Sequence, residues 1–247
     1  MSTTEIPYKF LVNATPPERG NVTASVTSEL RRAIITLELK PGEILDKGAI
    51  CQRLVVSRFP VSEALARLQS EGLVEIMPQR GSMVSRVRIA DVVEYMLIRK
   101  ALESEAIRVL MARKPPGVAE KLEHNLAEQA KAARRGDRET FHRFDVEFHE
   151  ILFEAMQFSR IRAVIDSARA NLDRARRLIL DPRRLTATQA EHKAIADGIA
   201  AGDGEAAAAA MRAHIDKVTG ELLAFARTSP ELFADSERFA TATLPFG

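Results

Sequence analysis

The residues in this 247-residue chain whose types and spacing suit chemistry are its five histidines, His124, His142, His149, His192 and His214, and the carboxylate Asp145. Asp145 and His149 are spaced i, i+4 and share one helical face. Phe141, Phe148, Leu152 and Phe153 put that face at or near a core. Burying a lone carboxylate there is destabilising, and a cation held between Asp145 and His149 removes the penalty. His192 stands 10 residues before Gly202, and His214 stands 12 after it. At about 1.5 Å of rise per residue, an antiparallel helix pair brings the two imidazoles to the same height. Three imidazoles and one carboxylate suit a divalent metal: zinc first, with nickel, manganese or iron(II) as alternatives. One or two coordination positions stay open for water or a ligand oxygen. His142 lies on another side of its helix and His124 in a polar stretch, so neither is assigned a role.

Arg99 shares a helical stripe with Val92, Met96, Leu102 and Ala106. A guanidinium on an apolar face wants a carboxylate. That carboxylate belongs either to a bound small organic acid or to an internal group such as Glu103.

A different chemistry is suggested near the N-terminus. Val26, Leu30, Ala33, Ile34 and Leu37 recur at helical spacing until Lys40-Pro41-Gly42, and a short helix over Lys47–Leu54 follows. A third helix starts at Ser57, an N-cap residue, carries Pro60 in its first turn and runs to Glu71, with Gly72 as its left-handed stop. Residues 73–77 and 82–85 then read as a hairpin around Pro78-Gln79-Arg80-Gly81. Three helices and a hairpin are the parts of a winged helix-turn-helix, whose third helix lies in the DNA major groove. Val61, Ala64, Leu65 and Leu68 face its core, leaving Arg58, Phe59 and Ser62 on the outer face. An arginine there bridges a phosphate or takes guanine bidentately, and Arg80-Gly81 at the hairpin tip is placed for the minor groove or a phosphate.

Val56-Ser57-Arg58-Phe59-Pro60-Val61-Ser62-Glu63-Ala64-Leu65, with Leu68, Glu71-Gly72-Leu73-Val74 and Arg80-Gly81, resembles the winged helix of the GntR family of regulators over about residues 23–88. The resemblance implies that Arg58 and the Arg80-Gly81 tip contact an operator. Two positions depart from it: Ser62 and Gly48 stand where the family commonly has arginine, so Lys47, Arg53 or the N-terminal arm is expected to compensate. Residues 90–228 resemble the FCD ligand-binding domain, through Arg99-Lys100-Ala101-Leu102-Glu103, Phe144-Asp145 with His149, Glu191-His192, and Gly202-Asp203 with Met211-Arg212-Ala213-His214. That resemblance implies that Asp145, His149, His192 and His214 ligate a metal and that organic acids bind beside it.

The expected fold is therefore mainly α: a loose arm (1–21), a winged helix-turn-helix (22–88), an antiparallel six-helix bundle (89–228) and a poorly ordered tail (229–247). The bundle helices are expected at 90–113, 117–135, 137–156, 158–180, 187–201 and 204–227, with breaks at Pro115-Pro116, Gly136, Phe158-Ser159, Pro182 and Gly202-Asp203-Gly204. Net charge is only +2, but residues 1–88 hold 12 Lys/Arg against 9 Asp/Glu and the remainder 24 against 25, so the positive excess sits with the DNA module. Cys51 is the single cysteine, which excludes an intrachain disulfide and suits a reducing cytoplasm. No signal peptide or membrane helix is expected. Two-fold operators imply a homodimer on double-stranded DNA. The leading expectation is a repressor gated by a small acid, not an enzyme. A metalloenzyme activating water in the bundle, and a metal that only stiffens it, are the alternatives.

Overall fold

The computed structural model describes residues 7–12, 22–155, 157, 160 and 169–239. They form two units, one running to Arg88 and rejoined by Ser229–Glu237, the other built on Ile89–Thr228.

In the first unit α1 (Val22–Ile35) buries Val26, Leu30, Ala33 and Ile34, and packs on the apolar stripe of α3 (Arg58–Ser70), formed by Val61, Ala64, Leu65 and Leu68. Between them α2 (Lys47–Leu54) starts at Asp46, whose Oδ1 accepts from the backbone N–H of Gly48 at 2.8 Å and of Ala49 at 3.0 Å. Ser57 occupies the N-cap position of α3 but makes no side-chain capping bond. Gly72 closes that helix at φ 72°, where Leu73 N–H reaches back to the carbonyl of Leu68.

The hairpin forms from β2 (Val74–Met77) and β3 (Gly81–Val84), with Met77 opposite Gly81. The sheet has one strand more than expected: β1 (Ile44–Leu45) pairs antiparallel with the other side of β3, giving the order β1-β3-β2. Two residues are too few to show an alternating pattern, so nothing in the sequence announces this strand.

The described parts of the arm and tail, residues 7–12 and 229–239, make specific contacts. Leu11 is buried, Asp46 N–H donates to the Tyr8 hydroxyl at 3.0 Å, and Val12 N–H donates to Glu29 at 2.8 Å. After Thr228 the chain makes a 3-10 turn at Pro230–Leu232 and buries Phe233. Val87 N–H donates to the Leu232 carbonyl at 3.0 Å, and Ala234 N–H donates to the Val87 carbonyl at 2.9 Å. Burial of one side chain, Leu11 or Phe233, anchors each segment while neighbouring groups take up its backbone bonds.

The second unit contains, among the described residues, the helices α4 (Ile89–Arg113), α5 (Val118–Arg135), α6 (Arg138–Glu154), α7 (Arg169–Ile179), α8 (Pro182–Ala200) and α9 (Gly204–Thr228). The long α9 packs along α4 and α8, while α5 packs on α6 and α8. The expected break at Pro182 is instead a helix start. Asp181 accepts from Arg184 N–H at 2.7 Å, and Pro182 fills the first position, where a missing N–H is harmless. The helix therefore begins five residues before the expected 187. The expected break at Phe158-Ser159 and the first part of the helix from 158 lie outside the described residues.

Gly198 sets the approach of α8 to α9. A Cβ there would lie 2.9 Å from the backbone N of Ala207 and 3.0 Å from its Cα. Gly198→Val is expected to destabilise the protein by about 1–3 kcal/mol through overpacking. The urea midpoint measures this, and an unchanged midpoint would show that the two helices separate freely.

Candidate DNA-reading face and metal centre

On the first unit Arg58, Phe59 and Ser62 are all exposed along the opening of α3, and Phe59 keeps 72% of its surface free. Their outward aim follows from the inward stripe of the same helix. Arg80 and Gly81 are exposed at the hairpin tip, where Arg80 N–H donates to the Met77 carbonyl at 3.1 Å and Gly81 sits at φ 96°. Neither Arg58 nor Arg80 is held by an ion pair among the described residues. Lys47 is half-buried at the start of α2.

Arg53 is placed differently from the expectation of a DNA contact. Its guanidinium donates to the carbonyls of Leu11 at 2.9 Å and Lys9 at 2.6 Å, so it holds the arm. This follows from long-range docking of residues 7–12, which no local pattern reveals.

In the second unit α6, α8 and α9 bring His149, His192 and His214 together. One nitrogen from each lies within 4.8 Å of the others, and all three rings are buried. The ring centroids of His192 and His214 are 4.7 Å apart, and Phe148 stacks on His192 at 4.1 Å. Each imidazole is held from behind. His192 Nδ1 lies 2.9 Å from Gln129 Oε1, His214 Nδ1 lies 2.8 Å from Glu191 Oε2, and His149 Nδ1 lies 2.7 Å from Glu103 Oε2. The amide nitrogen of Gln129 donates to Asn125, so its oxygen faces His192 as an acceptor. The neighbours of His192 and His214 accept, which puts the ring proton of each on Nδ1 and leaves a lone pair on Nε2. His149 Nδ1 stands at ion-pair distance from Glu103 without a hydrogen bond. The three Nε2 atoms are buried and have no hydrogen-bond partner.

Asp145 divides its carboxylate. Oδ2 pairs with the buried Arg176, and Oδ1 lies 3.7 Å from His192 Nε2. Burial alone would raise its pKa, but Arg176 and the surrounding imidazoles hold it down at about 2. Arg99 donates from Nε to Glu103 at 2.6 Å, the internal partner that its stripe allowed. Its Nη1 is buried without a partner.

Sequence reasoning missed Asn125, Gln129 and Arg176. The first two had a signal: carboxamides spaced i, i+4 between Leu122 and Ala132 on the buried stripe of α5. His142 is buried with its Nε2 3.7 Å from Asp173, and it stands outside the imidazole cluster.

Burial pushes His149 down to about 4 against the pull of Glu103, lowers His192 and His214, and takes His142 to about 3. Unfolded histidines titrate near 6.5, so the unfolded chain takes up these protons first. Stability of the metal-free protein is therefore complete above about pH 6.5 and is lost as pH falls toward about 4. The loss is about 1.4 kcal/mol per pH unit for each ring that stays neutral in the fold. Melting temperatures across this window should fall steadily, and a flat profile would mean that the rings are already charged in the folded state.

Comparison with known proteins bears on both regions. Residues 22–84 match the family of bacterial regulatory proteins described as gntR, and residues 94–217 match the FCD domain. This chain belongs to the GntR family.

An HTH-type transcriptional regulator from an unstable DNA locus of Streptomyces ambofaciens is 36% identical over 218 residues, spanning 88% of this GntR-family chain and 90% of that protein. The HTH-type transcriptional repressor RspR of Escherichia coli is 29% identical, over 83% of this chain and 91% of its own. Among solved structures, a Rhodococcus GntR regulator superposes with a TM-score of 0.69 at 25% identity, covering 82% of this chain and 97% of that one. The E. coli protein McbR/YncC gives 0.66 at 20% identity, covering 83% and 98%, and shares the fold. These families and relatives are regulators rather than enzymes. The GntR-family chain is accordingly a DNA-binding transcriptional regulator of the FCD type. No helix among the described residues is long and apolar enough to cross a membrane.

Proposed function

We propose that this regulator is a homodimeric repressor whose second unit holds a divalent metal, zinc in the first place, and a small organic acid that alters its grip on the operator. The observation that carries the proposal is the set of three buried, unpartnered Nε2 atoms, on rings whose Nδ1 atoms face Gln129, Glu191 and Glu103. A core of neutral histidines has no reason to leave three lone pairs facing one another, whereas ligands oriented by outer partners are built this way. Asp145 supplies the fourth ligand through Oδ1 while Arg176 keeps Oδ2. A bound metal supplies the Lewis-acidic charge that attracts a carboxylate oxygen. Arg99 offers its free Nη1 to the same acid, with Glu103 holding the guanidinium in place. Homodimerisation follows from the size of a winged helix, which needs a second copy to fill a specific site. The repressor sense is that of the relative RspR.

The experiment is fluorescence anisotropy on an operator duplex selected with the zinc-loaded full chain, titrated with a panel of small mono-, di- and tricarboxylates. One acid is expected to raise the melting temperature and to weaken operator binding severalfold. Acids that stabilise the protein and leave operator affinity unchanged would contradict gating. If chelation lowers the melting temperature and no acid raises it, the metal only stiffens the bundle.

A further inference from the structure

A cavity of about 630 Å³ opens at one end of the second unit, between the junction of α7 with α8 and the C-terminal half of α9. That volume lies in the range of small-molecule sites, about 300–1,000 Å³. Four cations line it: Arg138, Arg183, Arg184 and Lys217. Two are already committed. Arg184 donates to Glu191 at 2.6 Å and to Glu221 at 3.0 Å, and Lys217 lies 2.8 Å from Glu191. Of the acids on the wall, Glu221 is paired with Arg184, and Asp181 caps α8. Arg138 and Arg183 are exposed and make no ion pair among the described residues. The remaining wall is largely apolar, with Leu178, Ile179 and Phe225.

We infer that this cavity is a second ligand site, separate from the imidazole cluster, for an acid with one anionic head and an extended apolar body. Two uncommitted guanidiniums beside a wall of Leu, Ile and Phe match that chemistry and no more polar one. Glu191 connects the two sites, since its carboxylate takes Arg184 and Lys217 from the cavity side and His214 Nδ1 from the cluster side. An anion at the cavity mouth draws the two cations away from Glu191 and so changes the outer partner of a metal ligand. This link rests on the metal reading, whereas the occupancy of the cavity does not.

Calorimetric titration of the full chain with decanoate, kept dilute enough not to self-associate, tests the inference. Inorganic phosphate serves as the anion without an apolar body. Decanoate is expected to bind once per chain, equally well before and after chelation, and phosphate at least tenfold more weakly. The surface variant Arg138→Glu with Arg183→Glu should lose at least tenfold in decanoate affinity while keeping its operator affinity. Absence of decanoate binding, equal binding of phosphate, or indifference to the charge reversals would overturn the site. Binding abolished by chelation would move the acid to the metal centre. If zinc affinity is the same with and without decanoate, the link through Glu191 fails while the site stands.

Discussion

His192→Ala is expected to lower the affinity for zinc more than 100-fold, as read by competition with a chromophoric chelator. The figure follows from the neighbourhood of the ring. Outer partners of metal ligands are themselves worth about 10–100-fold in affinity, and His192 is itself a ligand in this account. Its Nε2 is one of the three orphaned atoms, its Nδ1 is tied to Gln129, and its plane is fixed by the stacked Phe148. Gln129→Leu removes only the outer partner and should fall between wild type and His192→Ala. Secondary structure by circular dichroism separates these losses from unfolding. Equal zinc affinity in all three proteins would remove the cluster from consideration as a metal centre.

Arg58→Ala should weaken binding to the selected operator by about 1–3 kcal/mol, roughly 5- to 150-fold, if the guanidinium takes a guanine. The side chain is exposed at the first position of α3, and the inward stripe Val61, Ala64, Leu65 and Leu68 fixes the direction in which it points. A phosphate contact gives a different signature: a loss spread over all sequences, and a salt slope lower by about 0.9. Arg80→Ala provides the comparison from the hairpin tip. Ser62→Arg restores the charge common at that position in the family, and should steepen the salt dependence. If Arg58→Ala leaves affinity and salt slope unchanged, α3 is not the reading helix.

Much of this architecture was legible because it follows from helical spacing. The matched distances of His192 and His214 from Gly202, with His149 on the facing helix, put three imidazoles in one neighbourhood without any knowledge of the packing. Asp145, four residues before His149, comes to 3.7 Å from His192 without joining the imidazole cluster. Local chemistry was read less well. Pro182 looks like a break until Asp181 is seen capping the helix. Long side chains were the least legible, because their partners are chosen by tertiary packing. Arg53 turns to the arm, Arg176 crosses to Asp145, and Glu191 gathers Arg184, Lys217 and His214. A family resemblance marks Glu191 beside His192, and only the structure shows what it touches. Arg99 lies between these cases: its stripe predicts a carboxylate, and the fold supplies Glu103 while leaving Nη1 open.

The most direct measurement is X-ray absorption at the zinc edge on the full chain loaded with one equivalent of metal. Three imidazole nitrogens at about 2.0–2.1 Å and at least one oxygen neighbour are expected. An all-oxygen shell, or metal lost on simple gel filtration of folded protein, would mean that the three lone pairs meet for another reason.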